Sequence, residues 1–172
     1  MQTHIGHRFS MPSTGFATAI GTCHIAWHDT GLTAFRLPAE QPAIMAPALP
    51  PSWVQSIIER VRQHLAGNAQ DFSDLPYDFG LVADFPQQVY RVTLQVKPGQ
   101  TCSYGDIAEK LGQPPAVSRA VGSALGANPW PLLVPCHRVV ASDGKMTGFS
   151  GPGGIKTKLR LLAIEGAQLF AE

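Results

Sequence analysis

The first third of the chain alternates short apolar runs with turn-forming residues. Three runs rich in β-favouring side chains, 16–20, 23–27 and 32–37, are separated by Gly21-Thr22 and by Asp29-Thr30-Gly31. Short runs joined by tight turns of this kind are typical of antiparallel strands. The pattern therefore predicts a small antiparallel sheet.

A helix is predicted after a stretch that holds five prolines between residues 38 and 51. Its apolar residues recur at helical spacing, and together they make one stripe: Val54, Ile58, Val61 and Leu65. Ser52 and Gln55 have the spacing of a reciprocal cap, and Gly67 is a typical helix stop. We expect one amphipathic helix that begins at Ser52 and ends before Gly67.

Beyond Asp84 the pattern becomes mostly helical. One helix is predicted over 85–96, with Pro86 in its first turn, where its missing N–H costs nothing. A short helix capped by Ser103 and Asp106 follows, and a further helix is predicted over 114–126. Two helices joined by a tight turn are typical of a helix-turn-helix.

The predicted sheet and helices make an α+β protein, and the length of the chain allows one or two domains. The chain has 172 residues, of which 44% are hydrophobic and 15% charged, as in globular proteins. We expect an N-terminal α/β scaffold domain over 1–80 and a C-terminal, mostly helical domain over 85–172. No apolar run reaches the roughly 18 residues of a membrane span, and three scattered cysteines do not form a disulfide framework. A cytoplasmic protein is expected, with no membrane association.

Charge is unevenly distributed between the two halves. Residues 1–84 carry four basic and seven acidic side chains, whereas residues 85–172 carry nine and five. A moderately basic C-terminal half is compatible with local contact to nucleic acid, although an imbalance of this size is also common in other proteins.

The helix predicted over 114–126 has two distinct faces. Its apolar stripe consists of Val117, Ala120, Val121, Ala124 and Leu125. A second face carries one long cation, Arg119, among the small residues Gly122, Ser123 and Gly126. Each glycine costs a helix about 1 kcal/mol, so the bare surface must serve a purpose. It either packs closely on another helix or approaches a nucleic-acid backbone, with Arg119 projecting.

The candidate chemistry lies at Cys136-His137. Prolines 129, 131 and 135 stiffen the approach to the thiol. A neighbouring imidazole can deprotonate a cysteine if a third group orients the ring. Glu165 and Asp143 are the carboxylates considered for that role. A Cys-His pair is also compatible with a purely structural role, since free cysteines often fill cores.

Six motifs in the C-terminal half closely resemble the O6-alkylguanine-DNA alkyltransferases in order and spacing, over about 85–167. They are Ser103-Tyr104-Gly105-Asp106-Ile107-Ala108, Ser118-Arg119-Ala120-Val121-Gly122, Asn128-Pro129, Val134-Pro135-Cys136-His137-Arg138-Val139, Gly148-Phe149-Ser150-Gly151 and Leu161-Leu162-Ala163-Ile164-Glu165-Gly166. The resemblance implies a ribonuclease-H-like N-terminal subdomain and a winged-helix-like C-terminal domain.

The same resemblance implies a catalytic set. Cys136 is similar to the thiolate that accepts the alkyl group from O6 of guanine, and His137, through a water, with Glu165 behind it, is similar to the relay that deprotonates it. Tyr104 matches the phenol that gives a proton to the departing guanine. Asn128 matches the residue that braces the turn before the cysteine. The product would be a stable thioether, so each molecule would act once, without a cofactor.

The resemblance also implies contacts to a flipped-out nucleotide in double-stranded DNA. Arg119 matches the side chain that fills the emptied space, and Ala120, Gly122 and Ser123 belong to the minor-groove helix. The guanine pocket would be formed by Pro131, Val139, Phe149 and Ser150. Phe149 stands where the family often has Tyr, which leaves the pocket's shape open. The expected partner is duplex DNA with O6-alkylguanine, bound by a monomer.

Other functions remain open from the sequence. Relatives that lack the cysteine only mark alkylated bases, a cysteine hydrolase would use the same triad, and a transcriptional regulator would use the helix-turn-helix. Histidines and a cysteine are also grouped near the N-terminus, at His4, His7, Cys23, His24 and His28. Their spacing is not that of a strong metal motif, and surface histidines on a small sheet are expected, with no metal bound.

Overall fold

The structure is a computed structural model that describes residues 11–39, 47–143 and 153–167. The N-terminal sheet has three antiparallel strands in the order β1-β2-β3, at Ser13–Thr18, Gly21–His28 and Gly31–Arg36. Strands β1 and β2 are joined by a tight turn, and so are β2 and β3. The predicted sheet is therefore confirmed, although β1 begins three residues earlier than its apolar run.

Helix α1 spans Ser52–Leu65 and buries the predicted stripe. The predicted reciprocal cap is wrong. Pro51 occupies the N-cap position without a side-chain hydrogen bond, and the Gln55 amide donates instead to the Pro50 carbonyl at 2.9 Å. The extended backbone of Pro51 marks the boundary itself, so Ser52 already lies in the first turn.

Three further helices follow: α2 at Asp84–Thr93, α3 at Tyr104–Lys110 and α4 at Ser118–Gly126. Helix α2 ends three residues before the predicted Val96, because the chain tightens into turns at Gln95 and Val96. The cap of α3 is confirmed: Ser103 Oγ accepts from the Asp106 amide, and the Asp106 carboxylate accepts from the Ser103 amide. Helices α3 and α4 pack against each other.

The segment before α4 is a 3₁₀ turn at Pro115–Val117 rather than the first turn of an α-helix. The Val117 amide donates to the Pro114 carbonyl, three residues earlier, at 3.0 Å, which is the hydrogen bond of a 3₁₀ turn. The α-helix therefore begins at Ser118, four residues after the predicted start.

The remaining elements surround Cys136. Strand β4 (Cys102–Ser103) pairs in parallel with β5 (Val139–Val140), which connects the start of α3 to the chain just after the cysteine. Helix α5 spans Ile155–Ile164. It packs both on the 3₁₀ turn Cys136–Arg138 and on α1.

One apolar core runs through both halves of the chain. Trp130, on the loop after α4, is fully buried and donates from its indole nitrogen to the Leu32 carbonyl of β3 at 3.1 Å. The Phe35 amide donates to the Pro129 carbonyl at 2.9 Å. The loop that leads to Cys136 is thus anchored on the N-terminal sheet.

The described ranges form a mixed α/β structure with a small sheet and five α-helices. Their helices are all too short or too polar to cross a membrane.

Candidate active site

The Cys136 sulfur lies in a 3₁₀ turn, Cys136–Arg138, at the end of a rigid loop. Leu132, earlier in that loop, has a φ of 76°, a conformation that costs an L-residue about 1–2 kcal/mol. Its side chain is fully buried, and the Val134 amide closes the turn on the Trp130 carbonyl at 2.9 Å. Burial and this hydrogen bond hold the loop in its strained form.

Asn128 braces this loop at two points. Its side-chain oxygen accepts from the Trp130 amide, and its amide nitrogen donates to the Val134 carbonyl, both at 2.9 Å. Asn128 also acts on the Cys136 thiol: burial raises the pKa of that thiol, and the Asn128 side chain opposes this rise. Asn128 therefore fixes the loop and also contacts the candidate nucleophile.

The Glu165 carboxylate, directly after α5, is completely buried and contacts three basic side chains. His137 Nε2 lies 2.9 Å from both of its oxygens. Arg138 donates to both oxygens, from Nε to Oε1 at 2.9 Å and from Nη2 to Oε2 at 2.6 Å. His64 Nε2 lies 2.8 Å from Oε2. We call these four residues the Glu165 cluster.

The charge state of the cluster follows from its hydrogen bonds. Burial alone would raise the pKa of Glu165, but donation from Arg138, His137 and His64 takes that pKa below its ordinary value. The carboxylate is therefore ionised at neutral pH and accepts from every partner. Burial lowers the pKa of His137, against the opposing effect of Glu165, so the resting imidazole is neutral.

The tautomer of His137 can be deduced from this. Because Glu165 accepts, Nε2 of His137 carries the ring's proton. Nδ1 of His137 is then an unprotonated acceptor, and it is buried with no hydrogen-bond partner among residues 11–39, 47–143 and 153–167. The ring thus has the arrangement of a general base: one nitrogen is held by a carboxylate, and the other can take a proton.

A buried lysine that sequence reasoning missed stands near the thiol. Lys158 of α5 is fully buried and donates from Nζ to the Val139 carbonyl at 2.7 Å. Burial raises the pKa of Cys136, while Asn128 and the Lys158 charge act in the opposite direction. Lys158 shares the apolar face of α5 with Leu161 and Leu162, so a cation on a buried stripe was the available signal.

Tyr104 and the bare face of α4 adjoin each other. Tyr104 opens α3, and a Cβ built on Gly122 would lie 3.8 Å from its ring. Arg119, Ala120 and Ser123 are exposed. A Cβ on Gly126 would meet no described atom within 4 Å. Around Arg119, Ser123 and Gly126, close packing on another helix is therefore not what keeps this face small in the described part of the chain, whereas Gly122 adjoins Tyr104 of α3.

The structure places the remaining sequence-predicted residues in different surroundings. Pro131 is half-buried in the loop and Val139 is buried on β5. Phe149 and Ser150 lie outside the described residues. Asp143, the other carboxylate considered, is exposed, and Glu165 is the one that contacts His137.

The other two cysteines differ from Cys136 in their surroundings. Burial raises the pKa of both Cys23 and Cys102 to about 11. It raises the pKa of Cys136 as well, but there the Asn128 side chain and the Lys158 charge oppose the rise. Where the structure describes the chain, no three His, Cys, Asp or Glu side chains form a group that could hold a metal ion. His4 and His7, which belonged to the grouping near the N-terminus, lie outside that part.

Comparison with known proteins gives consistent results. Residues 84–167 match the family model of the 6-O-methylguanine DNA methyltransferase DNA binding domain. A methylated-DNA–protein-cysteine methyltransferase of Methanothermobacter thermautotrophicus is 34% identical over 145 residues, 84% of this chain and 80% of the relative. A DNA base-flipping protein of Thermus thermophilus is 44% identical over 109 residues, 63% of this chain and 71% of the relative.

A solved structure shares the whole fold. The crystal structure of Mycobacterium tuberculosis OGT in complex with DNA superposes with a TM-score of 0.74 at 34% identity, covering 90% of this chain and 92% of that chain. The likeness extends across both halves of the chain, including the N-terminal part that the family model does not reach.

Proposed function

Because the chain belongs to the 6-O-methylguanine DNA methyltransferase family, we propose that it repairs double-stranded DNA by moving the alkyl group from O6-alkylguanine onto Cys136. The chain is accordingly an alkyl-transferring enzyme that uses a protein cysteine. The observation that carries the residue assignment is the position of Cys136 beside a neutral, carboxylate-held His137.

The residues fit the chemistry of an in-line displacement. The Cys136 proton passes, through a water, to Nδ1 of His137, and the imidazolium that forms is stabilised by Glu165. The sulfur then attacks the alkyl carbon: the S–C bond forms, the C–O6 bond breaks, and the electron pair stays on the guanine. Tyr104 donates a proton to the departing base, which neutralises it. Asn128 and Lys158 favour the thiolate during this step.

One molecule carries out one transfer in this proposal. The product is a thioether, and neither His137 nor water can cleave its S–C bond under these conditions. The protein therefore acts as a stoichiometric reagent, and its capacity equals its concentration.

The open face of α4 is the proposed contact with DNA. Small side chains there allow close approach to a duplex, and Arg119 is the exposed cation among them. We assign Arg119 to the space left by a flipped-out nucleotide, with Ala120, Gly122 and Ser123 along the minor groove. The exposure of this face supports the assignment, because DNA needs the surface that a packing partner would cover. Base flipping is needed because O6 is out of a thiolate's reach within the stack.

The finer features of the proposal follow the family resemblance. They are a ribonuclease-H-like arrangement of residues 1–80, a winged-helix-like domain from 85 onward, a monomer on DNA, and a guanine pocket that includes Pro131, Val139, Phe149 and Ser150. Val139 would offer its backbone carbonyl to the base. That carbonyl already accepts from Lys158, so it is held in place.

A second candidate function is recognition of alkylated bases without transfer. The name of the Thermus relative, a DNA base-flipping protein, is what favours it. Cys136 argues against it, because a protein that only marks a base has no need of a thiol beside a general base.

The mass of the intact protein decides between these functions. After incubation with duplex DNA that contains one O6-methylguanine, the protein should gain one methyl group, and peptide mapping should locate it on Cys136. Cys102→Ala is the matched control and should gain the same group. A protein that binds this duplex but keeps its mass would be a recognition module, and repeated release of product would indicate a hydrolase.

A further inference from the structure

One member of the Glu165 cluster comes from a distant part of the chain. His64 lies on α1, 101 residues before Glu165. Its side chain is 1% exposed, on the same face as Val61 and Leu65. A histidine on an apolar stripe usually serves the core, so its polar contacts decide whether it does more here.

Both ring nitrogens of His64 have a definite partner. The Gln70 amide donates to Nδ1 at 2.9 Å, so Nδ1 is the acceptor and the proton lies on Nε2. Nε2 points at Glu165 Oε2, 2.8 Å away. The neutral ring therefore donates to the carboxylate from Nε2. The Gln70 amide fixes this orientation, because a backbone N–H cannot rotate away from Nδ1 as a side chain could.

The other contacts of Glu165 all come from one short turn. Arg138 and His137 are neighbours in sequence, and they approach the carboxylate together from the 3₁₀ turn. Those two side chains and His64 are the charged or titratable groups that hydrogen-bond to the carboxylate among the described residues. His64 is thus the donor that ties the carboxylate to the N-terminal half.

We propose that His64 is a positioning residue for alkyl transfer, holding Glu165 against His137 so that the relay is complete only when α1 is docked. The inference rests on the proposed function of Cys136. It makes the N-terminal half part of the active site, since α1 supplies a hydrogen bond to the carboxylate that orients the base. His64 itself acts through Glu165 and does not exchange a proton with Cys136.

The test compares two substitutions of His64. His64→Phe keeps an aromatic ring beside Phe72, whose centroid lies 5.2 Å from that of His64, but removes the donor. His64→Gln keeps a side-chain N–H that can reach the carboxylate. His64→Phe loses both the donor to Glu165 and the acceptor for the Gln70 amide, whereas His64→Gln carries a donor and an acceptor. The two variants therefore separate the polar contacts of His64 from its aromatic packing.

His28 offers a matched control. Its Nδ1 also accepts a backbone amide, from Thr30 at 2.9 Å, and its Nε2 also contacts a carboxylate, Asp78. This pair lies at the end of β2, outside the Glu165 cluster. His28→Phe therefore removes a similar histidine–carboxylate pair without touching the proposed relay.

The measurement is the first-order rate constant of methyl transfer at saturating duplex, followed from about pH 6 to pH 9. Because losing this hydrogen bond loosens the carboxylate that orients His137, His64→Phe should slow transfer about tenfold and move the midpoint of the pH profile upward. His64→Gln should recover most of the rate, and His28→Phe should keep the wild-type rate and midpoint. Duplex binding should be equal in all four proteins.

Each outcome has a separate meaning. If His64→Phe transfers at the wild-type rate with an unmoved midpoint, His64 is only a core residue and the inference is wrong. If His64→Gln is as slow as His64→Phe, or His28→Phe is equally slow, the loss is one of general stability, which also overturns the inference. A wild-type protein that never gains a methyl group refutes the proposed function instead.

Discussion

Replacing Glu165 by Gln should destabilise the folded protein as well as slow its chemistry. The substitution keeps the shape of the side chain but removes its charge and turns one acceptor oxygen into an NH₂ donor. That NH₂ group would face the N–H groups of His64, His137 or Arg138, which all donate to Glu165. Arg138, whose side chain is 5% exposed, would be left as a buried cation without its counter-charge.

The expected size of the effect follows from this burial. Removing one partner of a buried ion pair costs about 3–5 kcal/mol, from a total stability of about 5–15 kcal/mol. For a chain of this length each kcal/mol corresponds to about 2–4 °C in Tm. Glu165→Gln should therefore lower Tm by about 6–20 °C. The exposed Glu59→Gln on the surface of α1 is the matched control and should leave Tm almost unchanged.

The pH dependence gives a second, independent check. The folded-state pKa of Glu165 lies below its ordinary value, so the stability it contributes is fully present above the unfolded value of about 4.3 and is lost as pH falls below it. Urea unfolding of the wild type and of Glu165→Gln should show the full difference in free energy of unfolding, here called the gap, at pH 7. Below about pH 4.3 the gap should narrow by about 1.4 kcal/mol per pH unit.

Two results would refute this reasoning. One is a Glu165→Gln protein within about 1 kcal/mol of the wild type at pH 7, well under the expected cost. The other is a gap that stays constant down to pH 3. Either result would mean that other groups stabilise the buried charge of Arg138 and that Glu165 contributes little to the stability of the fold. The thiol reactivity of Cys136 should be compared only under conditions in which both proteins are folded.

Three further predictions concern the chemistry and the DNA contact. Cys136→Ala should abolish methyl transfer while keeping affinity for the alkylated duplex, and transfer at a comparable rate would reveal another acceptor. Arg119→Ala should slow repair of duplex DNA but not the reaction of Cys136 with free O6-benzylguanine, and Arg119→Lys should be intermediate because it lacks the planar head group. Equal losses on both substrates would instead give Arg119 a structural role. Lys158→Met should raise the pKa of Cys136, since a buried cation no longer favours the thiolate. Alkylation of Cys136 by iodoacetamide at pH 7 should then slow about threefold per pKa unit, because the higher nucleophilicity of the thiolate partly offsets its tenfold lower population; an unmoved pH midpoint would contradict this.

Local patterns were enough to predict the elements that depend on neighbouring residues. The cap of α3 needs only Ser103 and Asp106, three residues apart, and the structure shows both of its hydrogen bonds. The same reasoning failed at Ser52, because the two preceding prolines decide where α1 begins. Capping spacing alone therefore does not locate a helix end when the preceding backbone is constrained.

The partners of Glu165 mark the limit of sequence reasoning. The order of motifs pointed to His137 and Glu165 together, and the structure brings them within 2.9 Å. Nothing in helical periodicity could show that His64, on an apolar stripe of α1, meets Glu165. Periodicity tells which face of a helix is buried but not which element covers it. Lys158 is different, because a cation on the apolar stripe of α5 was visible in the sequence.

The anchoring of the Trp130 loop on β3 has a consequence for the order of folding. Its indole hydrogen bond joins residues 98 positions apart in sequence, and the contact between His64 and Glu165 spans 101. Contacts of such long sequence separation form late, because a large loop must be closed before they are gained. In the proposed mechanism, the relay from Cys136 to His137 and Glu165 is therefore complete only after the sheet, α1 and α5 have come together, and a chain still emerging from the ribosome lacks it.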